Sequence, residues 1–166
     1  PVVANAYKLA GTVDGGRFGR ALNLISNSAN CTYDATGNLD PRRGTVELWF
    51  RVENHKEGMY HPLFGWYRPP NQPGNKKRLS AIEVYFHNST MTLGLHTPEP
   101  KGYTVAVPLK VGQWQHLEVN WDCAGGAGKS VYNVFVDGKR VIRVENGGAV
   151  SGGKGARLHL GIWDYG

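Results

Sequence analysis

The chain has 166 residues, among them 23 glycines, nine prolines and two cysteines. This length fits one domain with a sizeable core, and singly scattered glycines and prolines are typical of an all-β protein with many turns. No stretch approaches the ~20 apolar residues of a membrane span, and the net charge of +6 comes without a nucleic-acid-binding motif. We therefore expect neither a membrane span nor a nucleic-acid partner, whereas an acidic polysaccharide remains compatible with the charge.

The first predicted strands lie in the N-terminal third of the chain. Residues 21–24 follow a Gly-rich bend, and residues 31–44 contain a short strand and a turn. Residues 45–52 alternate strictly between apolar and other side chains. This pattern predicts a strand with one face in the core, formed by Val46, Leu48, Phe50 and Val52. The opposite face carries Glu47, Trp49 and Arg51.

Residues 53–79 interrupt the strand pattern. The prolines after residue 68 allow only a brief strand around residues 63–66. A loop of this length is uncommon in a compact domain and is more often functional than inert. Because Trp66 and Tyr67 lie in it among polar residues, we expect both side chains to be available to a ligand.

Strand periodicity returns after residue 80. Residues 82–87 and 91–95 form two alternating runs joined by a turn. A third run at residues 104–109 contains Pro108, which indicates an edge strand or a strand end. In the first run, the face opposite the apolar side chains carries Glu83, Tyr85 and His87.

The clearest pattern spans residues 111–144 and predicts three consecutive strands. Residues 116–122 and 132–136 alternate with a period of two, and a Gly-rich turn separates them. Asp137-Gly138 then supplies the positive φ angles of a tight type I′ hairpin turn. Such a sheet has an apolar face that requires a second layer.

Four sequence segments carry a family resemblance. They are GQWQHLEVNWD at 112–122 with NVFVDGKRV at 133–141, GGRFGRALNL at 15–24, and GTVELWFRV at 44–52. These segments resemble laminin-G-like or pentraxin-like domains of the concanavalin A-like lectin/glucanase superfamily, over about residues 10–162. The resemblance implies an all-β fold, a two-sheet antiparallel β-sandwich of the jelly-roll type, as a single domain over residues 1–166. It also implies an extracellular or cell-surface location.

Similar sandwiches bind glycans on an outer sheet face, with aromatic rings against the sugar and polar groups on its hydroxyls. The resemblance therefore implies a non-catalytic carbohydrate-binding or adhesion domain, whose partner is a polysaccharide or a glycoprotein glycan. We expect it to be monomeric or part of a larger multidomain chain. The candidate ligand-binding residues are Trp66, Tyr67, Tyr85, His87, Glu83, Glu118, Arg51 and Trp163. Trp49 and His116 match residue types common in the family, which favours a packing role for both.

The same superfamily contains glycoside hydrolases and polysaccharide lyases, so an enzyme is the first alternative. Its retaining glycosidases carry the pattern E-x-D-x-x-E on one strand, whereas residues 47–53 have Trp49 in place of the central aspartate. This motif is therefore absent. A cross-strand pair of Glu83 and Glu118 remains open, and a lyase would use Tyr85, His87 and Arg51.

No cofactor and no strongly held calcium ion are expected, because the aspartates lie far apart in the sequence and each fits a turn. Cys31 and Cys123 each lie beside a predicted strand. In an extracellular domain two such residues commonly pair, so we expect a Cys31–Cys123 disulfide. The alternative is two small buried thiols.

The C-terminus differs from the family pattern. Laminin-G-like domains finish with a strand of the type G-x-[IV]-D-[ED]-[VI]-R-[IV]-Y, and this sequence stops at Gly166 without it. The sequence is truncated, or the segment around residues 2–9 takes the place of that strand, or another molecule does. The last alternative would make the chain a self-assembling fibre subunit completed by a strand from its neighbour.

Overall fold

The computed structural model describes residues 6–8, 10–24, 30–52, 60–68, 79–87, 92–98, 102–107, 110–150 and 156–161. Within these residues the chain forms thirteen β-strands and one short 3-10 helix, Ala127–Lys129. The strands are β1 (Ala6–Lys8), β2 (Ala10–Gly16), β3 (Gly19–Leu24), β4 (Asn30–Asp34), β5 (Arg43–Phe50), β6 (Tyr60–Arg68), β7 (Leu79–His87), β8 (Thr92–His96), β9 (Gly102–Ala106), β10 (Gln115–Asp122), β11 (Val131–Val136), β12 (Lys139–Glu145) and β13 (Arg157–Gly161). No helix in the described part of the chain is long and apolar enough to cross a membrane.

The first sheet has four antiparallel strands in the order β12-β11-β10-β5. The strict alternation of β10 buries Leu117, Val119 and Trp121 and leaves the residues between them on the outer face. The turn between β11 and β12 has positive φ angles at Asp137 (49°) and Gly138 (77°). The three consecutive strands and the tight turn predicted for this region are confirmed.

The second sheet has seven strands in the order β1-β4-β13-β6-β7-β8-β9. Its central strand, β6, runs for nine residues and pairs with both β13 and β7. The brief strand predicted around residues 63–66 is therefore present but longer, and the prediction of a loop is wrong for Tyr60–Arg68. Pro62 is accommodated because the register shifts between Pro62 and Phe64, and the later prolines follow the end of the strand. Residues 53–59 and 69–78 lie outside the described residues.

The two sheets enclose one hydrophobic core, which confirms the predicted antiparallel β-sandwich. Phe64, Trp66 and Phe86 come from the seven-stranded sheet, and Leu117 and Tyr132 come from the four-stranded sheet. In the seven-stranded sheet, β7 is buried on both faces, since every residue from 82 to 86 is buried.

Trp66 belongs to this core. Its side chain is 1% exposed, and its ring meets that of Trp121, from the opposite sheet, edge to face at 5.7 Å between centroids. The expectation that Trp66 lies outside the core, open to a ligand, is wrong. Trp66 is buried because β6 is a central strand and not a loop.

The predicted Cys31–Cys123 disulfide is also wrong, because both thiols are free and buried. Cys31 lies in β4 of the seven-stranded sheet, whereas Cys123 follows β10 of the four-stranded sheet. Cys123 Sγ lies 3.1 Å from the Tyr132 hydroxyl, which donates a hydrogen bond to the Gly148 carbonyl oxygen at 2.6 Å. The thiol of Cys123 thus has a polar partner within its own sheet.

The N-terminal strand β1 pairs with β4 of its own chain, at the edge of the seven-stranded sheet. The N-terminal segment, one of the three alternatives for the missing closing strand, thus pairs within its own chain at Ala6–Lys8. Strands β2 and β3 form a separate two-stranded hairpin.

Candidate functional site

A row of polar side chains crosses the outer face of the seven-stranded sheet. The strand register places Thr32 opposite His159, His159 opposite Gly65, Gly65 opposite Glu83, and Glu83 opposite His96. Their sequence neighbours on β6, β7 and β8 point into the core, so these residues face outward. We call these five residues the histidine row.

Glu83 stands at the centre of the histidine row. Its carboxylate Oε2 lies 3.4 Å from His96 Nδ1, and the residue is only 8% exposed. A carboxylate that is buried to this degree requires hydrogen-bonding or charged partners, and His96 supplies one. The His96 side chain is 40% exposed, so it forms the accessible end of the pair.

The ring of Tyr85 packs beside this pair. It meets the His96 imidazole edge to face, with 4.8 Å between the ring centroids. Gly94 makes this position possible, because a Cβ atom at that residue would overlap the tyrosine ring. Burial, together with the negative charge of Glu83, raises the pKa of the Tyr85 hydroxyl, which therefore stays protonated at neutral pH.

His159 occupies the other side of Glu83. Its Nδ1 lies 3.1 Å from Thr32 Oγ1. Burial and the positive charge of Arg157 lower the pKa of His159 to about 4, although the nearby charge of Glu83 acts in the opposite direction. His159 is therefore a neutral imidazole at neutral pH.

The histidine row and the adjoining Tyr85 thus combine hydrogen-bonding groups of different character on one surface. Glu83 is an acceptor, Tyr85 keeps its hydroxyl proton, and His159 is a neutral imidazole whose Nδ1 already lies 3.1 Å from Thr32 Oγ1. This is a set of groups that can bind hydroxyl-rich ligands, and it includes an acid and a base in distinct protonation states.

Two of the predicted ligand-binding residues, Glu83 and Tyr85, belong to this cluster, and both are more buried than an exposed strand face suggests. Tyr67 and His87 lie in β6 and β7, but their side chains are outside the described part. Trp163 lies outside the described residues altogether. The ligand-binding roles of these residues stay predictions.

The other two predicted residues, Arg51 and Glu118, lie on the four-stranded side of the sandwich. The Arg51 guanidinium carbon lies 4.9 Å from the ring centroid of Trp114. Glu118 Oε1 accepts a hydrogen bond of 3.0 Å from Asn120. The suggested pairing of Glu83 with Glu118 is wrong, because their strands belong to different sheets and both residues face outward.

The outer face of the four-stranded sheet has its own polar row. Asn120 accepts a hydrogen bond of 2.8 Å from Asn133, and Asn133 accepts one of 3.4 Å from Arg143. An open pocket of about 360 Å³ adjoins this row, and Arg43 and Thr45 line its other side. The polar side chains of this pocket are largely hydrogen-bonded or ion-paired with one another. In the histidine row, by contrast, a buried carboxylate lies between two imidazoles.

Sequence reasoning missed His96 as a site residue and gave His159 only a place on an outer face. A signal for His96 was present in the run TLGLH, where Leu93 and Leu95 enter the core and the alternate residues must face outward. Within the described residues, no group of three or more His, Cys, Asp and Glu side chains could hold a metal ion.

The comparison with known families agrees with this architecture. The sequence model of the family Laminin_G_3, described as the concanavalin A-like lectin/glucanases superfamily, matches residues 26–162. The chain belongs to this superfamily. Its resemblance to laminin-G-like domains, inferred from four short segments, is thereby confirmed. No curated protein has a sequence significantly similar to that of this chain.

Several solved structures share the concanavalin A-like fold of the chain. The endo-β-1,4-glucuronan lyase of the fungus Trichoderma reesei matches with a TM-score of 0.63 at 12% identity, over 97% of this chain and 77% of the lyase. Domain 4 of AbnA, an extracellular GH43 arabinanase of Geobacillus stearothermophilus solved with arabinotriose, matches with 0.60 at 17% identity, over 99% and 74%. The alginate lyase vAL-1 of a Chlorella virus matches with 0.61 at 13% identity, over 95% and 82%. At these identities the likeness establishes the fold alone.

Proposed function

We propose that the chain is an extracellular carbohydrate-binding domain whose polysaccharide ligand lies across the outer face of the seven-stranded sheet, over the histidine row. The observation that carries this proposal is the cluster of Glu83, His96 and Tyr85, aligned by strand register with His159 and Thr32.

The chemistry of the cluster suits sugar hydroxyls. The buried carboxylate of Glu83 is held in place by His96 and can accept hydrogen bonds from sugar hydroxyls. The exposed imidazole of His96 offers a ring edge and a polar nitrogen to an incoming ligand. The aromatic ring of Tyr85, packed beside His96, adds apolar surface next to these polar groups.

The dimensions of the row favour an oligosaccharide over a single sugar. The row crosses five adjacent strands from β4 to β8, and strands lie about 4.8 Å apart, so it extends about 19 Å. The polymers named for the structural neighbours, glucuronan, alginate and arabinan, make a rational first panel of ligands.

Affinity electrophoresis of the intact protein through gels containing each polysaccharide tests the proposal. Glu83→Gln and His96→Ala should each weaken retention by about tenfold in the dissociation constant, as expected for central contacts of a binding site. Glu118→Gln removes the same charge from the opposite sheet and serves as the matched control, with unchanged retention. Absence of retention by every polymer, or equal losses in Glu83→Gln and Glu118→Gln, would refute the proposal.

A second candidate is a polysaccharide lyase that acts on uronic-acid polymers at the same surface. One specific observation favours it: strand register places His159, a neutral imidazole, on the same sheet face as Glu83 and Tyr85, a protonated phenol. In β-elimination, a base takes the proton at C5, the electron pair forms a C4=C5 double bond, and the C4–O bond breaks. The departing oxygen then receives a proton from an acid.

This candidate is separable from simple binding. The unsaturated product absorbs ultraviolet light, so a rise in absorbance on mixing the protein with glucuronan or alginate would reveal elimination. We expect His159→Ala and Tyr85→Phe to abolish such a rise while retention in the gel persists. Retention without any rise in absorbance leaves the non-catalytic binding domain as the function.

A further inference from the structure

The opposite side of the sandwich carries an exposed cluster of aromatic and basic side chains. Phe18, at the tip of the β2–β3 hairpin, is 79% exposed. Its ring meets that of Trp49 edge to face, with 6.0 Å between the centroids. Trp49 lies on the outer face of β5, where it is 37% exposed and also contacts the imidazole of His116 at 5.1 Å. We call Arg17, Phe18, Trp49 and His116 the aromatic cluster.

Arg17 gives this cluster its charge. Its guanidinium carbon lies 5.2 Å from the ring centroid of Phe18 and 4.9 Å from that of Trp49. Other arginines pair with carboxylates, namely Arg20, Arg42, Arg43 and Arg143. Among the described residues, Arg17 forms no hydrogen bond or ion pair. Its contacts with the rings therefore leave the guanidinium N–H groups available to a ligand.

Holding the hairpin in place does not account for the cluster. An isolated two-stranded hairpin is marginally stable, so the contact between Phe18 and Trp49 contributes to its position. A side chain that remains 79% exposed, however, buries little surface in that contact. Exposed apolar side chains grouped with an unpaired cation are typical of an interaction site.

We propose that the aromatic cluster binds an anionic polysaccharide, at a site separate from the histidine row. The rings of Phe18 and Trp49 provide surfaces for sugar C–H groups, and Arg17 provides N–H donors for carboxylates or sulfates. The charge of the chain complements such a polymer, since the net charge is +6.

The neighbouring charges are compatible with an anion at this position. Glu47 and Glu118, register partners on β5 and β10, carry the neighbouring carboxylates on this face. Glu47 Oε2 lies 3.4 Å from His116 Nε2, and Glu118 Oε1 accepts a hydrogen bond from Asn120, so each carboxylate has a partner. Arg51, two residues after Trp49, adds a second guanidinium in contact with an aromatic ring, that of Trp114.

Affinity electrophoresis with polygalacturonate, dextran sulfate and neutral dextran tests this proposal on the intact chain. We expect retention by at least one anionic polymer and none by dextran. Polygalacturonate alone would identify carboxylates as the ligand, dextran sulfate alone would identify sulfates, and retention by both would identify any dense anion. Absence of retention by both anionic polymers would overturn the proposal.

Single variants then separate the site from general charge attraction. Arg17→Ala and Phe18→Ala should each weaken binding about tenfold, with little change in melting temperature because both side chains are exposed. Arg20→Ala, on the same hairpin, removes the same charge from an arginine that already pairs with Asp14 and should change binding by less than about twofold. Equal losses in Arg17→Ala and Arg20→Ala, or unchanged binding by Phe18→Ala, would contradict the proposal. His96→Ala should leave this binding intact. Failure of the present proposal can therefore be distinguished from failure of the proposed binding site at the histidine row.

Discussion

Replacing Trp66 by alanine should lower the free energy of unfolding by about 3–5 kcal/mol. The side chain is 1% exposed and packs against Trp121 across the sandwich. A tryptophan buries ~150–250 Å² of surface, and at ~25 cal/mol per Å² this corresponds to about 4–6 kcal/mol. Alanine retains part of that gain, whereas the remaining cavity adds a further loss, so the net value falls in the range of measured Trp→Ala losses of about 3–5 kcal/mol.

Equilibrium unfolding in urea, monitored by circular dichroism, measures this loss. Thermal unfolding should show a melting temperature lower by roughly 6–20 °C, because 1 kcal/mol corresponds to about 2–4 °C in a domain of this size. Trp49→Ala is the matched control: this side chain is on the outer face, and we expect a loss below about 1 kcal/mol. A loss below about 1 kcal/mol for Trp66→Ala, or equal losses for the two variants, would refute the placement of Trp66 in the core.

Three further predictions concern other parts of the structure. Gly94→Ala should weaken polysaccharide binding about tenfold in affinity electrophoresis, because the added Cβ would displace the Tyr85 ring; unchanged binding would contradict that packing. Stability should fall by about 2–3 kcal/mol between pH 7 and pH 4.5. In that range the unfolded chain protonates His159, whereas the folded chain, whose histidine has a pKa of about 4, does not. Urea unfolding at the two pH values should show this loss reduced in His159→Gln, and an equal loss in that variant would contradict it. Alkylation in denaturant without reductant should add two alkyl groups to the mass, one each on Cys31 and Cys123, whereas a mass without addition would indicate a disulfide.

The local parts of the fold could be predicted because their signals are contained in short segments. β10, β11 and β12 follow one another along the chain, alternate with a period of two, and are joined by turns that the sequence specifies. Their pairing requires no information from distant residues.

Only a short part of the central strand β6, around residues 63–66, could be predicted, because the strand lacks that alternation. Pro62, Phe64, Gly65 and Trp66 are buried although they do not share one face of a regular strand. A strand that is covered on both faces loses the period-two pattern, and its proline resembles a turn signal. The assignment of Trp66 to a ligand-binding loop followed from that missing signal.

The histidine row depends on register between strands that are distant in sequence. Thr32 and His159 are 127 residues apart, and only the pairing of β4 with β13 brings them together. Alternation along β7 correctly placed Glu83 and Tyr85 on one face, but it could not identify His96 as their partner. The predicted disulfide was wrong for the same reason, since long-range strand pairing determines the sheet in which each cysteine lies.

The most direct test of the central claim is nuclear magnetic resonance of the histidine imidazoles during titration with an oligosaccharide of the polymer that the protein retains. A ligand on the outer face of the seven-stranded sheet should shift the signals of His96 and His159. The titration uses the Arg17→Ala variant, in which the separate aromatic cluster lacks its guanidinium, so the imidazole of His116 on the opposite sheet serves as an internal control and should shift far less than those of His96 and His159. Shifts confined to His116, or saturation of binding without any change at His96 and His159, would contradict the assignment of the histidine row as the carbohydrate-binding site.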